Sequence, residues 1–160
     1  MSGKIVIGSD KSGYTLKEAV KSYLQAEGVE FIELGTVDPE VGVPFFKVAP
    51  EAAKLLQAGQ ADRAILICGT GMGMSQVANK FQGVRAACVE SAYAARMCRA
   101  INDSNALCMG GWVIAPEMGV EMVKVFLHTE HLEGLEPWRQ DFLKNAKAEF
   151  EKLENEIFGA

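Results

Sequence analysis

Short apolar runs alternate with longer amphipathic stretches along the chain. Residues 4–8 (KIVIG), 30–34 (EFIEL), 64–68 (AILIC), 84–89 and 106–109 are apolar, short and rich in β-branched side chains, which predicts five strands. Between them apolar positions recur at helical spacing. The stretch 15–27 carries Leu16, Ala19, Val20, Tyr23 and Leu24, and Gly28 ends it. The same periodicity predicts helices over 47–58, 71–81, 92–101, 116–127 and 136–158, with Pro116 well placed in a first turn. Near-continuous apolar strands separated by helices imply a parallel sheet covered on both faces. The expected fold is α/β: a Rossmann-like three-layer sandwich with a parallel sheet of about five strands and an extra C-terminal helix.

A chain of 160 residues predicts one domain, 1–160, large enough to hold a core without disulfides or structural metal. The C-terminal helix, about 136–158, has an apolar stripe at Phe142, Ala146, Phe150, Leu153 and Ile157 among Glu149, Glu151, Glu154 and Glu156. Such a stripe packs on its own domain or on a partner subunit. The formal net charge of −5 argues against a broad nucleic-acid face. No apolar run reaches bilayer length, and the N-terminus lacks the apolar core of a signal peptide, so a cytoplasmic protein without membrane contact is expected. The four cysteines, Cys68, Cys88, Cys98 and Cys108, form no Cys-x-x-Cys pair, so neither a zinc site nor a disulfide framework is expected. His128 and His131 could share one metal on a helix, but two ligands do not make a site, so no metal and no cofactor are expected.

Ligands of open α/β sheets bind at the carboxyl ends of strands. Three polar or glycine-rich segments are assigned there: Ser9 to Gly13, Cys68 to Gly73, and Asn102 to Asn105, the last entering a strand from a helix. The second is the richest. A strand runs straight into Gly69-Thr70-Gly71-Met72-Gly73 and then a helix, so backbone N–H groups and a helix N-terminus face one point. It matches neither the dinucleotide fingerprint nor a Walker loop, and taken alone it reads equally as a tight turn. Cys68 at the strand tip adds a nucleophile or general base, whereas Cys88, Cys98 and Cys108 read as packing residues. Asp10 is either a hydroxyl ligand or a turn cap. Asn102 and Asn105 bind sugar hydroxyls or satisfy the loop, and Arg96 and Arg99 form a solvated helix face or bind an anion.

The runs GSDKSGY, ILICGTGMGMSQVANKFQGVRAA and INDSNALCMGG resemble the ribose-5-phosphate isomerase B and galactose-6-phosphate isomerase family, over nearly the whole chain to about residue 133. The resemblance implies a dimer or tetramer with sites at the subunit interface, and metal-free aldose–ketose isomerisation of sugar phosphates. It assigns the catalytic base to Cys68, with Thr70 beside it, and the anion loop to Gly69, Gly71, Met72 and Gly73. Asp10 and Asn102 match family binding residues. The family's Asp-His is Asp10-Lys11 here, its His-Asn-Asp is Ile101-Asn102-Asp103, and an arginine two positions after a glycine is Trp112. Its basic Gly-Gly-Arg-His stretch is replaced by Gly134 to Gln140. Lys11, Arg99 and Arg139 are the candidate replacements for the missing anion ligands.

The expected function is therefore isomerisation of a phosphorylated sugar through an enediolate, with the substrate a ribose 5-phosphate type, a tetrose or another sugar phosphate. The alternative is a non-catalytic companion subunit of a two-chain galactose-6-phosphate isomerase, with a related chain as partner. Ile101 cannot exchange a proton, which favours a substrate that needs no ring opening, such as a four-carbon sugar phosphate.

Overall fold

All five apolar runs become strands because helices cover both faces of the sheet. The computed structural model describes residues 4–159. Every position of β1 (Ile5–Ser9) and β5 (Ala106–Gly110) is buried, as is β3 (Arg63–Cys68) after its first residue. A strand buried on both faces needs apolar residues at both parities, which is why no alternation shows in these runs. The edge strands β2 (Phe31–Gly35) and β4 (Ala86–Cys88) are only half-buried. All pairings are parallel, in the order β2-β1-β3-β5-β4.

Ile5, Ile7, Ile65, Ile67, Leu107 and Met109 face a layer formed by α1 (Tyr14–Ala26), α4 (Ala92–Ala100) and α5 (Pro116–His128). Val6, Ala64, Leu66, Cys68 and Cys108 face α2 (Phe45–Gln57) and α3 (Met72–Ala78). This is a three-layer, Rossmann-like α/β sandwich. Each fully buried Ile or Leu contributes about 1.5–3 kcal/mol by leaving water.

The topology fixes where a ligand can sit. The chain turns to one side after β1 and to the other after β3, so the loops at their carboxyl ends part and leave a crevice. The topology also corrects the placing of residues 102–105. This turn leads into β5, and Ala64 N–H donates to Asn105 O (2.8 Å) at the start of β3. It lies at the amino edge of the sheet, opposite the strand-tip loops. A six-residue strand carries the chain roughly 16 Å from one edge to the other.

The last helix, α6 (Pro137–Phe158), crosses outside the β4 edge, and of its described residues only Leu143 is buried. Polar contacts tie it down: Lys147 Nζ to Asp103 Oδ2 (2.6 Å), Gly83 N–H to Glu154 Oε1 (2.6 Å) and Gln82 Nε2 to Asn155 Oδ1 (3.1 Å). A cavity of about 540 Å³ lies beneath it, lined among others by Ala86, Ile101, Asn102, His131, Phe150 and Ile157. Among the described residues no helix is long and apolar enough to cross a membrane.

Candidate active site

At the carboxyl edge three loops meet backbone to backbone. Asp10 N–H donates to Ile67 O (3.1 Å), and Gly111 N–H donates to Cys68 O (2.7 Å). A Cβ on Gly13 would stand 2.5 Å from the Ile67 carbonyl oxygen, so only glycine lets the Asp10 turn rest on β3. Gly71 has φ 78°, and a Cβ there would meet Cys88 Sγ at 2.9 Å. Gly71 is therefore required by both backbone angle and close approach, and Gly69 and Gly73 by close approach.

Cys68 is 4% exposed, and its Sγ accepts the Gly71 N–H at 3.2 Å. Gly71 precedes α3, so the thiol takes one of the amides that a helix start leaves unbonded. Thr70 is half-buried beside it, Met72 is exposed, and Gly73 packs against the Phe45 ring. Asp10 Oδ1 accepts the Gly13 N–H (3.0 Å), which makes it a turn cap. Burial pushes its carboxyl up, against the downward pull of the Gly13 and Ser12 amides.

Cys88 packs against the core, as expected, and also touches this loop. Its Sγ–H donates to Thr70 O at 3.6 Å, and the sulfur fills the space beside Gly71. Burial, then Cys68 and Glu90 nearby, push this thiol up. With β5 between their strands, the two cysteine backbones stand about 10 Å apart, beyond disulfide reach. Sequence could not show this, because the insertion of β5 between β3 and β4 is a property of topology.

Lys11 is exposed, and its ammonium makes no ion pair among the described residues. Its Cβ lies against Gly42 in the loop after β2. Lys17, fully buried, anchors that loop: it pairs with Glu33 and donates to Thr36 O (2.6 Å), while Thr36 Oγ1 accepts the Val43 N–H (3.0 Å). Burial would raise the Glu33 carboxyl, but Lys17 and Lys21 hold it below its ordinary range.

The remaining predicted residues lie at the amino edge. Asn102 is exposed, and Arg139 opens α6 half-buried. Asn105 clamps the loop, its side chain accepting from Arg85 N–H (2.8 Å) and donating to Gly83 O (2.8 Å). Arg99 is a correction. It is 2% exposed and forms neither a solvated face nor a free anion ligand. Its guanidinium donates to Asp103 Oδ1 (2.8 Å), Ser104 O (2.7 Å) and Thr129 O (3.3 Å), and lies 5.9 Å from the Phe126 ring centroid. Burial would raise Asp103, but hydrogen bonds from Lys147 and Arg99 hold it at about 2.

By sequence, His131 stands out only as a candidate metal partner of His128. The structure separates the two: His128 Nδ1 sits 2.8 Å from Lys124 O, while His131 lines the cavity with Ile101 and Asn102. Leu132, at φ 71°, donates its N–H to Ala100 O (2.8 Å) and seats the imidazole there. Burial holds the His131 pKa below the ordinary imidazole value, with Lys147, Arg99 and Arg85 adding to this and Asp103 opposing it. No sequence signal marks this placement.

The family model for ribose/galactose isomerase matches residues 5–141, which span the whole sheet and α1 to α5. The chain belongs to the ribose/galactose isomerase family. The isomerase is 59% identical to the 4-deoxy-4-sulfo-D-erythrose isomerase of Clostridium sp. (strain MSTE9), over 97% of this chain and 98% of that one. It is 40% identical to D-erythrulose-4-phosphate isomerase 2 of Mycolicibacterium smegmatis, over 81% and 87% of the two chains. The solved ribose-5-phosphate isomerase B of Clostridium thermocellum superposes with a TM-score of 0.86 at 34% identity, covering 96% of this chain and 99% of that one. The isomerase is accordingly an enzyme of the aldose–ketose type.

Proposed function

We propose that the isomerase interconverts an acyclic four-carbon aldose and its ketose, with a terminal sulfonate as in 4-deoxy-4-sulfo-D-erythrose, or a terminal phosphate. The observation that carries the reading is Cys68 Sγ on the Gly71 N–H at the strand-switch crevice. Cys68 takes the proton from C2 of the aldose. The electron pair forms the C1–C2 double bond of an enediolate, whose negative oxygen meets the amides of residues 69–73. The proton returns to C1, and the hydroxyl protons redistribute to give the ketose. A well-placed base contributes roughly 10²–10⁴-fold, and each oxyanion donor about 2.7–4 kcal/mol.

The four-carbon preference has a chemical reason. A 4-deoxy-4-sulfo sugar has no oxygen on C4, and a 4-phosphate has that oxygen blocked, so neither closes a five-membered ring. An apolar Ile101 then withholds nothing that the substrate needs. The relatives named for a sulfo-erythrose and an erythrulose phosphate support the same size class.

The working site takes two copies of the chain. Within one copy Cys68 and Asn102 lie at opposite edges of the sheet, so Lys11, Asp10 and the Cys68 loop of one copy face Asn102 and Arg139 of the next. The apolar stripe of α6, exposed at Phe142, Phe150, Leu153 and Ile157, is the surface a second copy covers.

Hydrogen exchange at C2 in deuterated water tests the reading. The purified chain alone should exchange 4-deoxy-4-sulfo-D-erythrose and erythrose 4-phosphate faster than ribose 5-phosphate. A chain that exchanges none of them alone is the companion subunit of a two-chain enzyme instead.

A further inference from the structure

Trp112 lies directly on the loop that carries Cys68. Its ring atoms Cε3, Cζ3 and Cδ2 stand 2.7, 2.8 and 2.9 Å from where a Cβ on Gly69 would be, so the indole fills the space of a missing side chain. Two successive backbone bonds hold it there, from Gly111 N–H to Cys68 O (2.7 Å) and from Trp112 N–H to Gly69 O (3.0 Å). Yet the residue is 74% exposed, and its Nε1–H donates to no group among the described residues. An indole anchored at its base and bare over the rest borders the space above the strand ends, where ligands of such sheets bind. It offers a wide, stiff apolar wall and no charge.

We propose that Trp112 sets the length of the sugar accepted beside Cys68, its indole packing against the chain at the fourth carbon and closing the site beyond the anionic group that carbon bears. This rests on the isomerase reading above. The C4 of a 4-deoxy-4-sulfo sugar is a methylene, which loses nothing against an indole face. The C4 of an open pentose phosphate carries a hydroxyl, which would lose its water there without gaining an acceptor. A fifth carbon and its phosphate would also have to displace a ring whose inner edge rests on Gly69 and whose main chain two backbone hydrogen bonds hold.

The chain has two tryptophans, Trp112 and Trp138, so Trp138→Phe leaves Trp112 as the sole indole reporter. In that background a four-carbon hydroxamate ending in a sulfonate should change the emission, half-maximally at the concentration that half-inhibits turnover. Emission that ignores this probe and follows protein dilution instead would assign the indole to a subunit contact and overturn the proposal. The ratio of inhibition constants for five- and four-carbon hydroxamates should fall at least about tenfold in Trp112→Ala and less in Trp112→Phe, the scale of a pocket that rejects one carbon. An unchanged ratio in both folded variants overturns the proposal while leaving the isomerase reading intact. If the unmodified chain instead exchanges the C2 hydrogen of 4-deoxy-4-sulfo-D-erythrose no faster than that of ribose 5-phosphate, the four-carbon reading falls and this proposal with it.

Discussion

Cys68 accepts the Gly71 N–H, whereas Cys88 gives its own proton to the Thr70 carbonyl. Two sulfurs flanking one glycine thus have opposite parts, one accepting an amide of the glycine loop and one propping the loop through a carbonyl. Cys68→Ala should cut turnover by at least about 100-fold and leave the far-ultraviolet dichroism unchanged. Cys108→Ala, in the middle of β5, should keep turnover and lose about 1 kcal/mol or more of stability from the emptied volume, read from the urea midpoint. Asp103 is the residue on which Arg99 depends. Asp103→Asn removes the carboxylate facing a buried guanidinium and should cost about 3 kcal/mol. Its carboxyl is held at about 2 rather than 3.8, so it contributes stability above pH 3.8 that is lost as the pH falls towards 2. The variant should therefore show a flatter acid limb in unfolding measured against pH. None of this was legible in the residue itself. An arginine in the last turn of a helix, four positions before an aspartate past its end, fits a solvated pair as well as a buried one, and only the packing of α4 on α5 decides.

Elements were the most legible scale, because periodicity reports directly on burial. The unbroken apolar runs of β1, β3 and β5 mark strands with two covered faces, and all eleven expected elements form. The strand 84–89 shortens to Ala86–Cys88, since it lies at an edge with one neighbour. The stripe on α6 was also visible, though not what it meets: its own core takes only Leu143. Paired Leu153→Glu and Ile157→Glu substitutions should leave the sheet and its other helices folded and shift the sedimentation coefficient to that of a single chain. A chain that is already single before substitution would remove the two-copy site. Buried Lys17 escaped the reading, because a lysine on the apolar side of α1 looks like a lapse in pattern until Glu33 and the Thr36 carbonyl appear opposite it.

At the scale of the whole molecule, chain direction decides which residues share an edge. The polar cluster at 102–105 looks like a strand-tip loop by composition, yet it precedes its strand and therefore sits at the opposite end. On the proposed function, ring opening belongs to this scale as well, because Ile101 stands at the amino edge. Ile101→His should raise turnover of ring-closed ribose 5-phosphate several-fold and leave the acyclic four-carbon substrate within about twofold, by comparison of kcat/KM. Equal gains on both would show that ring opening is not what Ile101 forgoes.

The placing of Cys68 and Asn102 at opposite edges has a genetic consequence. On the two-copy site proposed above, one allele lacking Cys68 and another lacking Asn102 and Arg139 should each encode an inactive protein, for different reasons. Expressed together, their mixed pairs should contain one site spoiled twice and one assembled from intact halves. Two null alleles should then complement, restoring about a quarter of the sites when subunits pair at random. Alleles damaged on the same edge should not.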